Sequence, residues 1–157
     1  MINLKPFRQT AGLCGPASLK MVLEYYGILA SESAITRAAG ASRKKGASKE
    51  GLIKAAEHFG LKVFTKEKSS LSDLRRFIKK GIPVIVDWFS GDDGHYSVVV
   101  DINEKNIILM DPELAGKRKM SVEKFQRLWF DFPGEFIKDH REIVLRLMIS
   151  ATPQKSS

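Results

Sequence analysis

Apolar positions near the start of the chain follow the spacing of a buried helix face. They recur at i, i+3, i+4 and i+7, at Leu19, Val22, Leu23 and Tyr26. Pro16 suits the first turn of such a helix, and Gly27 can end it. The pattern therefore predicts a first helix that begins close to Cys14.

Three more helices are predicted between serines, which favour helix N-caps, and glycines, which favour C-terminal ends. They run from Ser31 to Ala39, from Ser48 to Gly60, and from Ser70 or Ser72 to Gly81. A short strand is expected at 61–66, between the last two of these helices. The first half of the chain is thus predicted to be mostly helical.

From Ile82 onward the pattern changes to short runs of β-branched residues. The segments IPVIVDWF, HYSVVVDI and NIILMD are separated by the turn formers GDDG and NEK. A short helix is expected over 121–129 and a last strand over 142–149. Because helices come first and most strands follow, the order favours an α+β domain with an antiparallel sheet.

Length and composition place the chain among ordinary globular proteins. With 157 residues it can bury its own core, so 1–149 are expected to form one domain, followed by a disordered tail at 150–157. No apolar run approaches the roughly 18 residues of a membrane span, and the N-terminus lacks the apolar stretch of a secretory signal. The single cysteine cannot form an internal disulfide, which fits a reducing compartment. We therefore expect a cytoplasmic protein, which can associate with a membrane through a partner.

The net charge of +8 is concentrated in one segment. Residues 43–80 hold twelve Lys or Arg against four Asp or Glu. This basic segment can be a pair of solvated helix faces, or it can attract an acidic partner or an anionic membrane surface. Nucleic acid is disfavoured as a partner because the aromatics of the segment have core-like spacing and no base-stacking pattern.

Cys14 is the first candidate for chemistry. At a helix N-terminus, backbone N–H groups and the helix dipole stabilise a thiolate, whereas a lone cysteine in a core is an inert packing residue. A thiol nucleophile also needs a base, and His95 opens a strand directly after the SGDDG loop, at a position typical of a cleft edge. The other two histidines, His58 and His140, lie in contexts typical of surface residues.

Two further residues could complete such a site. If the hairpin between HYSVVVDI and NIILMD turns near Asn103, His95 and Asp111 lie directly opposite each other, close enough for a carboxylate to orient the imidazole. A slip by one residue would separate them, and Asp111 could instead end its strand in an Asp-Pro turn. Gln9, five residues before the cysteine, could donate to an oxyanion or simply face solvent.

The ordered set of motifs resembles a known family. An upstream Gln, CGPASLKMVLEYYG, GASKEGLIKAAEHFGLKV, GIPVIV, GHYSVVVDI and IILMDP are similar to the bacteriocin-processing cysteine peptidases that cut after a double-glycine leader, a branch of the papain-like superfamily. The likeness runs from about Phe7 to Trp129. It implies a papain-like α+β fold, in which a helical half carries the cysteine and an antiparallel sheet carries the histidine and aspartate.

The resemblance also implies roles for the four candidates. Cys14 would be the nucleophile, His95 the general base and acid, Asp111 the residue that orients His95, and Gln9 the oxyanion donor. The implied substrate is a peptide, and no metal or organic cofactor is expected. Two departures stand out: only TAGL separates Gln9 from Cys14, where the family usually has five residues, and many relatives are parts of large membrane exporters.

Two functional hypotheses follow. The first is a cysteine peptidase that cleaves after Gly-Gly or other small residues through an acyl-enzyme, with transfer to an amine in place of water left open. The alternative is a catalytically inactive peptidase-like module that still binds peptides.

Overall fold

A computed structural model describes residues 1–154, and its helices lie where the sequence pattern predicts them. The helices are α1 (Cys14–Tyr25), α2 (Glu32–Ala38), α3 (Lys49–His58), α4 (Leu71–Lys79) and α5 (Val122–Leu128). Ser31, Ser48 and Ser70 each accept a hydrogen bond from the backbone N–H three residues later. Ser121 caps α5 in the same way, so serine caps set four of these five helix starts. Ser70, not Ser72, is the cap of the fourth helix.

Eight strands accompany these helices within residues 1–154, and six of them form one antiparallel sheet. The strands are β1 (Leu61–Lys66), β2 (Val84–Ser90), β3 (Asp93–Ile102), β4 (Asn106–Asp111), β5 (Gly116–Ser121), β6 (Phe130–Asp131), β7 (Val144–Leu145) and β8 (Met148–Pro153). The order in the large sheet is β1-β8-β2-β3-β4-β5, and β6 pairs with β7 as a separate ribbon. The predicted α+β class with an antiparallel sheet is confirmed.

The prediction of one continuous strand over 142–149 is wrong. Residues His140–Glu142 form a 3₁₀ turn, and Val144 and Leu145 pair with the short strand β6. Arg146 then adopts a left-handed backbone with φ of 49°, which redirects the chain into β8. The hydrophobic run 142–149 therefore contributes residues to two different sheets.

The predicted disordered tail begins too early. Residues 150–153 continue β8, where Ser150 pairs with Phe64 of β1 and Pro153 pairs with Leu61. Pairing with two neighbours, β1 and β2, holds this end of the chain. Residues 155–157 of the predicted tail lie outside the described residues.

The large sheet is covered on both faces, which gives two apolar clusters. On one face α1 and α3 pack against the sheet and α2 packs against both of these helices, with Leu19, Leu23, Leu52, Tyr96 and Val98 among the buried side chains. On the other face α4 and α5 cover a second cluster that contains Leu74, Val84, Val99, Phe125 and Trp129. Removal of these side chains from water is the main stabilising contribution, and it fixes α1 against β3.

The N-terminal segment runs along the same part of the sheet before α1 begins. The backbone N–H of Ile2 donates to the carbonyl of Val100, and that of Gln9 donates to Pro112, both at 2.9 Å. These bonds bring the loop before Cys14 close to the end of β4. Within residues 1–154, none of the helices combines the length and apolar character needed to cross a bilayer.

Candidate active site

Cys14 is the first residue of α1, as the sequence predicts. Its N-cap is Leu13, whose side chain cannot accept a hydrogen bond from the first turn, so the sulfur meets a helix terminus without a side-chain cap. Cys14 is half-buried, and its Sγ lies 3.4 Å from the backbone nitrogen of Tyr96, which donates to it. The donor residue directly follows His95, so α1 delivers the thiol to the start of β3.

The ring of His95 is buried between this thiol and a carboxylate. Its Nε2 lies 2.6 Å from Asp111 Oδ1, which leaves Nδ1 as the nitrogen available to the sulfur. Burial alone would lower the pKa of His95, but hydrogen bonds to Asp111 and Cys14 outweigh burial and raise that pKa to about 9. The imidazole therefore carries a proton at neutral pH while it contacts a potential nucleophile.

The predicted contact between His95 and Asp111 is present, although the predicted register is wrong. Val98 pairs with Met110, so one step along the ladder Asp111 lies opposite Ser97 and is only a diagonal neighbour of His95. The hairpin also contains a bulge between Val99 and Asp101. The predicted register between β3 and β4 is off by two residues. A shift by an even number of residues keeps the side chains of His95 and Asp111 on the same face of the sheet.

Asp111 is fully buried and accepts three hydrogen bonds. Oδ1 accepts from His95 and from the backbone N–H of Glu113 at 2.9 Å, and Oδ2 accepts from Nε of Arg118 at 2.8 Å. Burial favours the neutral acid, but the contacts with His95 and Arg118 hold the pKa of Asp111 below its ordinary value. The residue also ends β4 immediately before Pro112, so both interpretations of this aspartate hold.

Arg118 is a site residue that the sequence reasoning missed. Besides its bond to Asp111, its guanidinium lies over the ring of Trp88, with 5.6 Å between the carbon Cζ and the ring centroid. Trp88 in turn packs edge-on against His95 at 5.8 Å. Arg118 sits in the run KRK on the unpredicted strand β5, where nothing in the sequence separates it from Lys117 and Lys119.

Gln9 lines the same cleft but does not point its amide at an open site. Its Nε2 donates to the carbonyl of Thr10 at 3.4 Å, and its buried Oε1 has no hydrogen-bond partner among residues 1–154. Its backbone is fixed by the bond to Pro112. The amide nitrogen carries two N–H bonds, so the contact with Thr10 leaves one of them able to donate elsewhere.

The cleft that contains Cys14, His95 and Gln9 has a volume of about 490 Å³. Two glycines in its wall allow close approach of backbones. Gly12 adopts a φ of +84° against the carbonyl of Arg43, and Gly94 lies directly beneath the carboxylate of Asp131. The basic residues 43–45 also line the cleft. His58 and His140 lie on the exposed surface and take no part in it.

One group within the described part of the chain has metal-ligand character, namely His95, Asp111 and Glu113, whose ligand atoms lie within 4.8 Å of one another. Asp111 already accepts from Arg118 and His95, so the positive charge near this carboxylate comes from the protein itself. The expectation that no metal is required stays a prediction.

Comparison with known proteins supplies the family. The model of the Peptidase C39 family matches residues 7–132. An uncharacterized protein of Methanothermobacter thermautotrophicus is 36% identical over 116 residues, which cover 74% of this chain and 75% of that protein. The pediocin PA-1 transport/processing ATP-binding protein PedD of Pediococcus acidilactici is 32% identical over 121 residues, covering 74% of this chain but 16% of PedD.

A solved structure supports the same assignment. The peptidase domain of Streptococcus ComA, a bifunctional ABC transporter involved in a quorum-sensing pathway, matches with a TM-score of 0.75 and 26% identity. The match covers 98% of this chain and 100% of that domain. The papain-like fold expected from the sequence is thereby confirmed. This chain belongs to the peptidase C39 family.

Proposed function

We propose that this chain is a cysteine peptidase that cleaves peptides after Gly-Gly or other small residues, with Cys14 as nucleophile. The observation that carries the proposal is the hydrogen bond between His95 and Asp111 in the wall of the cleft that Cys14 enters. A ring steadied by a buried carboxylate can pass a proton between a thiol and a substrate. A packing cysteine would have no need of that arrangement.

The proposed reaction has two steps. The sulfur of Cys14 attacks the peptide carbonyl carbon, the C–N bond breaks, and His95 gives its proton to the departing amine. Water then loses a proton to His95 and attacks the thioester, which releases the carboxylic acid and restores Cys14. The backbone N–H of Cys14 and the amide of Gln9 are the proposed donors to the oxyanion.

A first experiment tests the cleavage itself. A diverse peptide library is incubated with the protein, and the fragments are identified by mass spectrometry, with Cys14→Ala as control. We expect fragments that end in glycine, alanine or serine and that are missing with Cys14→Ala. Intact peptides with both proteins would contradict the proposal.

A second candidate function is a peptide-binding module without turnover. It is favoured by Gln9, whose amide is engaged by its own loop, and by the short TAGL spacing before Cys14. Alkylation of the thiol by iodoacetamide separates the two candidates. For an enzyme we expect His95→Ala to slow alkylation at pH 6 by about tenfold or more, because the imidazolium stabilises the thiolate. Equal rates in both proteins would favour the binding module.

A further inference from the structure

A second cavity of about 400 Å³ adjoins the Cys14 cleft. We call it the acidic chamber. The two cavities share the wall residues Ala47, Tyr96, Asp131, Phe132 and Pro133. The backbone of Tyr96 touches the sulfur of Cys14, while its ring faces Asp87 across the β2–β3 pair. A peptide bound at Cys14 can therefore extend a side chain into the chamber.

The chamber has an excess of negative charge. Its acids are Glu50, Glu67, Asp87, Asp131 and Glu142, and Lys49 is the one basic residue that lines it among residues 1–154. Lys49 Nζ lies 3.6 Å from Glu67 and 3.8 Å from Glu50, so its charge is directed at these two carboxylates. Within residues 1–154 the other three acids form no salt bridge with a Lys or Arg.

Asp87 distinguishes this chamber from an ordinary cluster of surface acids. Asp87 lines the chamber and is 5% exposed. Its carboxyl group is close enough to Asp131 to share a proton with it, and its buried Oδ1 has no other hydrogen-bond partner within residues 1–154. Burial and the neighbouring Asp131 raise the pKa of Asp87, and burial raises the pKa of Asp131 as well. Without a cation the two carboxyl groups avoid carrying two negative charges, and a positively charged group placed beside them would favour the ionised form of both.

The other walls of the chamber are apolar. Phe132, Val144 and Leu147 contribute hydrophobic surface beside these acids. A long aliphatic stem can pack on such walls while its charged end reaches the carboxylates, which is how lysine and arginine side chains combine the two surfaces. A small hydrated metal ion would leave the apolar walls unused.

We propose that the acidic chamber binds a lysine or arginine side chain of the peptide substrate, within about three residues of the scissile bond. The range follows from the shared wall and from the roughly 3.5 Å that each extended residue spans. The inference rests on the proposed function, since it assumes that a peptide occupies the Cys14 cleft. It adds a requirement for a basic residue to the proposed preference for small residues.

The test uses matched peptides that contain Gly-Gly between alanine flanks. One flanking position at a time carries lysine, arginine, norleucine or glutamate, where norleucine keeps the aliphatic length of lysine without its charge. We measure kcat/KM for each peptide by mass spectrometry, and the affinity of each peptide for Cys14→Ala by calorimetry. At one or two positions we expect lysine or arginine to exceed norleucine about tenfold or more, as is typical for a buried charge-assisted contact.

Two variants test whether the acidic chamber causes the preference for lysine. Asp87→Asn keeps the shape and can donate a hydrogen bond to Asp131, and Glu142→Gln removes a charge nearer the surface. We expect Asp87→Asn to reduce the preference for lysine to less than threefold and Glu142→Gln to weaken it. The matched controls Asp101→Asn and Glu104→Gln remove the same charges outside both cavities and should keep the full preference. Circular dichroism confirms that each variant is folded.

These measurements separate failure of the chamber proposal from failure of the peptidase proposal. If no peptide is cleaved but Cys14→Ala still binds the lysine peptide more tightly than the norleucine peptide, the chamber proposal stands and the peptidase proposal falls. Equal cleavage and equal binding of the lysine, norleucine and glutamate peptides at every position would overturn the chamber proposal. So would a lysine preference that Asp87→Asn and Glu142→Gln both leave unchanged.

Discussion

At the residue scale, the candidate site consists of side chains whose charges depend on one another. Asp111 is ionised although buried, because His95 and Arg118 approach it from two directions. The sequence identified Cys14, His95 and Asp111 because each stands at the end of a recognisable element. It could not identify Arg118, since a bond to Asp111 across β4 and β5 leaves no trace in local spacing.

Replacement of Arg118 by alanine tests its role as a positioning residue. Without the guanidinium, Asp111 loses one hydrogen bond, and we expect kcat/KM to fall about tenfold or more. The pKa of His95 should rise further, because a nearby positive charge has been removed. The pH profile of kcat/KM reports this shift. Lys119→Ala on the same strand is the control, and an unshifted profile in Arg118→Ala would mean that the residue only supports the fold.

Gln9 can be tested as an oxyanion donor. If its amide turns toward the reacting carbonyl, Gln9→Ala should lower kcat about 100-fold with little change in KM, because the lost interaction exists only in the transition state. Gln9→Asn, with a shorter reach, should not restore the rate. A kcat that stays within twofold of the original protein would assign the oxyanion to backbone N–H groups alone.

The raised pKa of His95 makes a prediction about stability. The pKa is about 9 in the folded protein and about 6.5 in an unfolded chain, so the folded state holds the proton more tightly. This contribution is fully present below pH 6.5 and is lost as the pH rises toward 9 and beyond. We measure the free energy of unfolding in urea at pH 6 and at pH 10. Between these pH values it should fall by roughly 1–3 kcal/mol more in the original protein than in His95→Gln. Parallel losses in both proteins would contradict this assignment.

At the element scale, the helices were predictable and part of the sheet was not. Serine caps and glycine ends are local signals, and they delimit α2, α3 and α4 closely. The strand β5 pairs with its neighbour β4, but its sequence GKRKMS contains no β-branched residue. The two-residue strands β6 and β7 form only because they pair with each other. The hydrophobic run at 142–149 looks continuous in the sequence, but Arg146 divides it between two sheets.

Because β6 lies close to β3, we predict that a larger residue in place of Gly94 destabilises the protein. A methyl group there would collide with the carboxylate of Asp131, and this strand is held on the other side by β7. We expect Gly94→Ala to destabilise the protein by about 1–3 kcal/mol and to lower kcat/KM, because Asp131 and the chamber wall must move. Gly116→Ala is the matched control, since the nearest atom to a methyl group at Gly116 is the carbonyl oxygen of Leu114 at 3.9 Å, an ordinary contact distance. Equal denaturation midpoints for the two variants would argue against this packing.

At the scale of the whole molecule, the basic segment 43–80 is less uniform than its net charge suggests. Lys66 and Arg76 both pair with Asp73, and Lys49 lies near Glu50 and Glu67. The residues 43–45 instead line the Cys14 cleft. An acidic partner or a membrane surface for the whole segment, and the cytoplasmic location, stay predictions.

The position of residues 43–45 predicts a role in substrate capture. Replacement of Arg43, Lys44 and Lys45 by alanine should raise KM for a peptide that carries glutamates, with little change in kcat, because these side chains attract the substrate without joining the chemistry. The effect should shrink when salt is raised from 50 mM to about 300 mM, where the screening length falls well below 10 Å. Lys79→Ala and Lys80→Ala together serve as the control. A change in kcat alone would exclude this role.

In the proposed function, neighbouring residues of β3 have different roles. His95 meets Asp111 on one side of the pleat, while Tyr96 faces Asp87 on the other. Because side chains alternate along a strand, the proposed catalytic residue and the proposed specificity residue lie on opposite faces of β3. New peptide preferences could therefore be engineered at the Asp87 side by redesigning the pocket floor, without rebuilding the machinery that acts on the scissile amide.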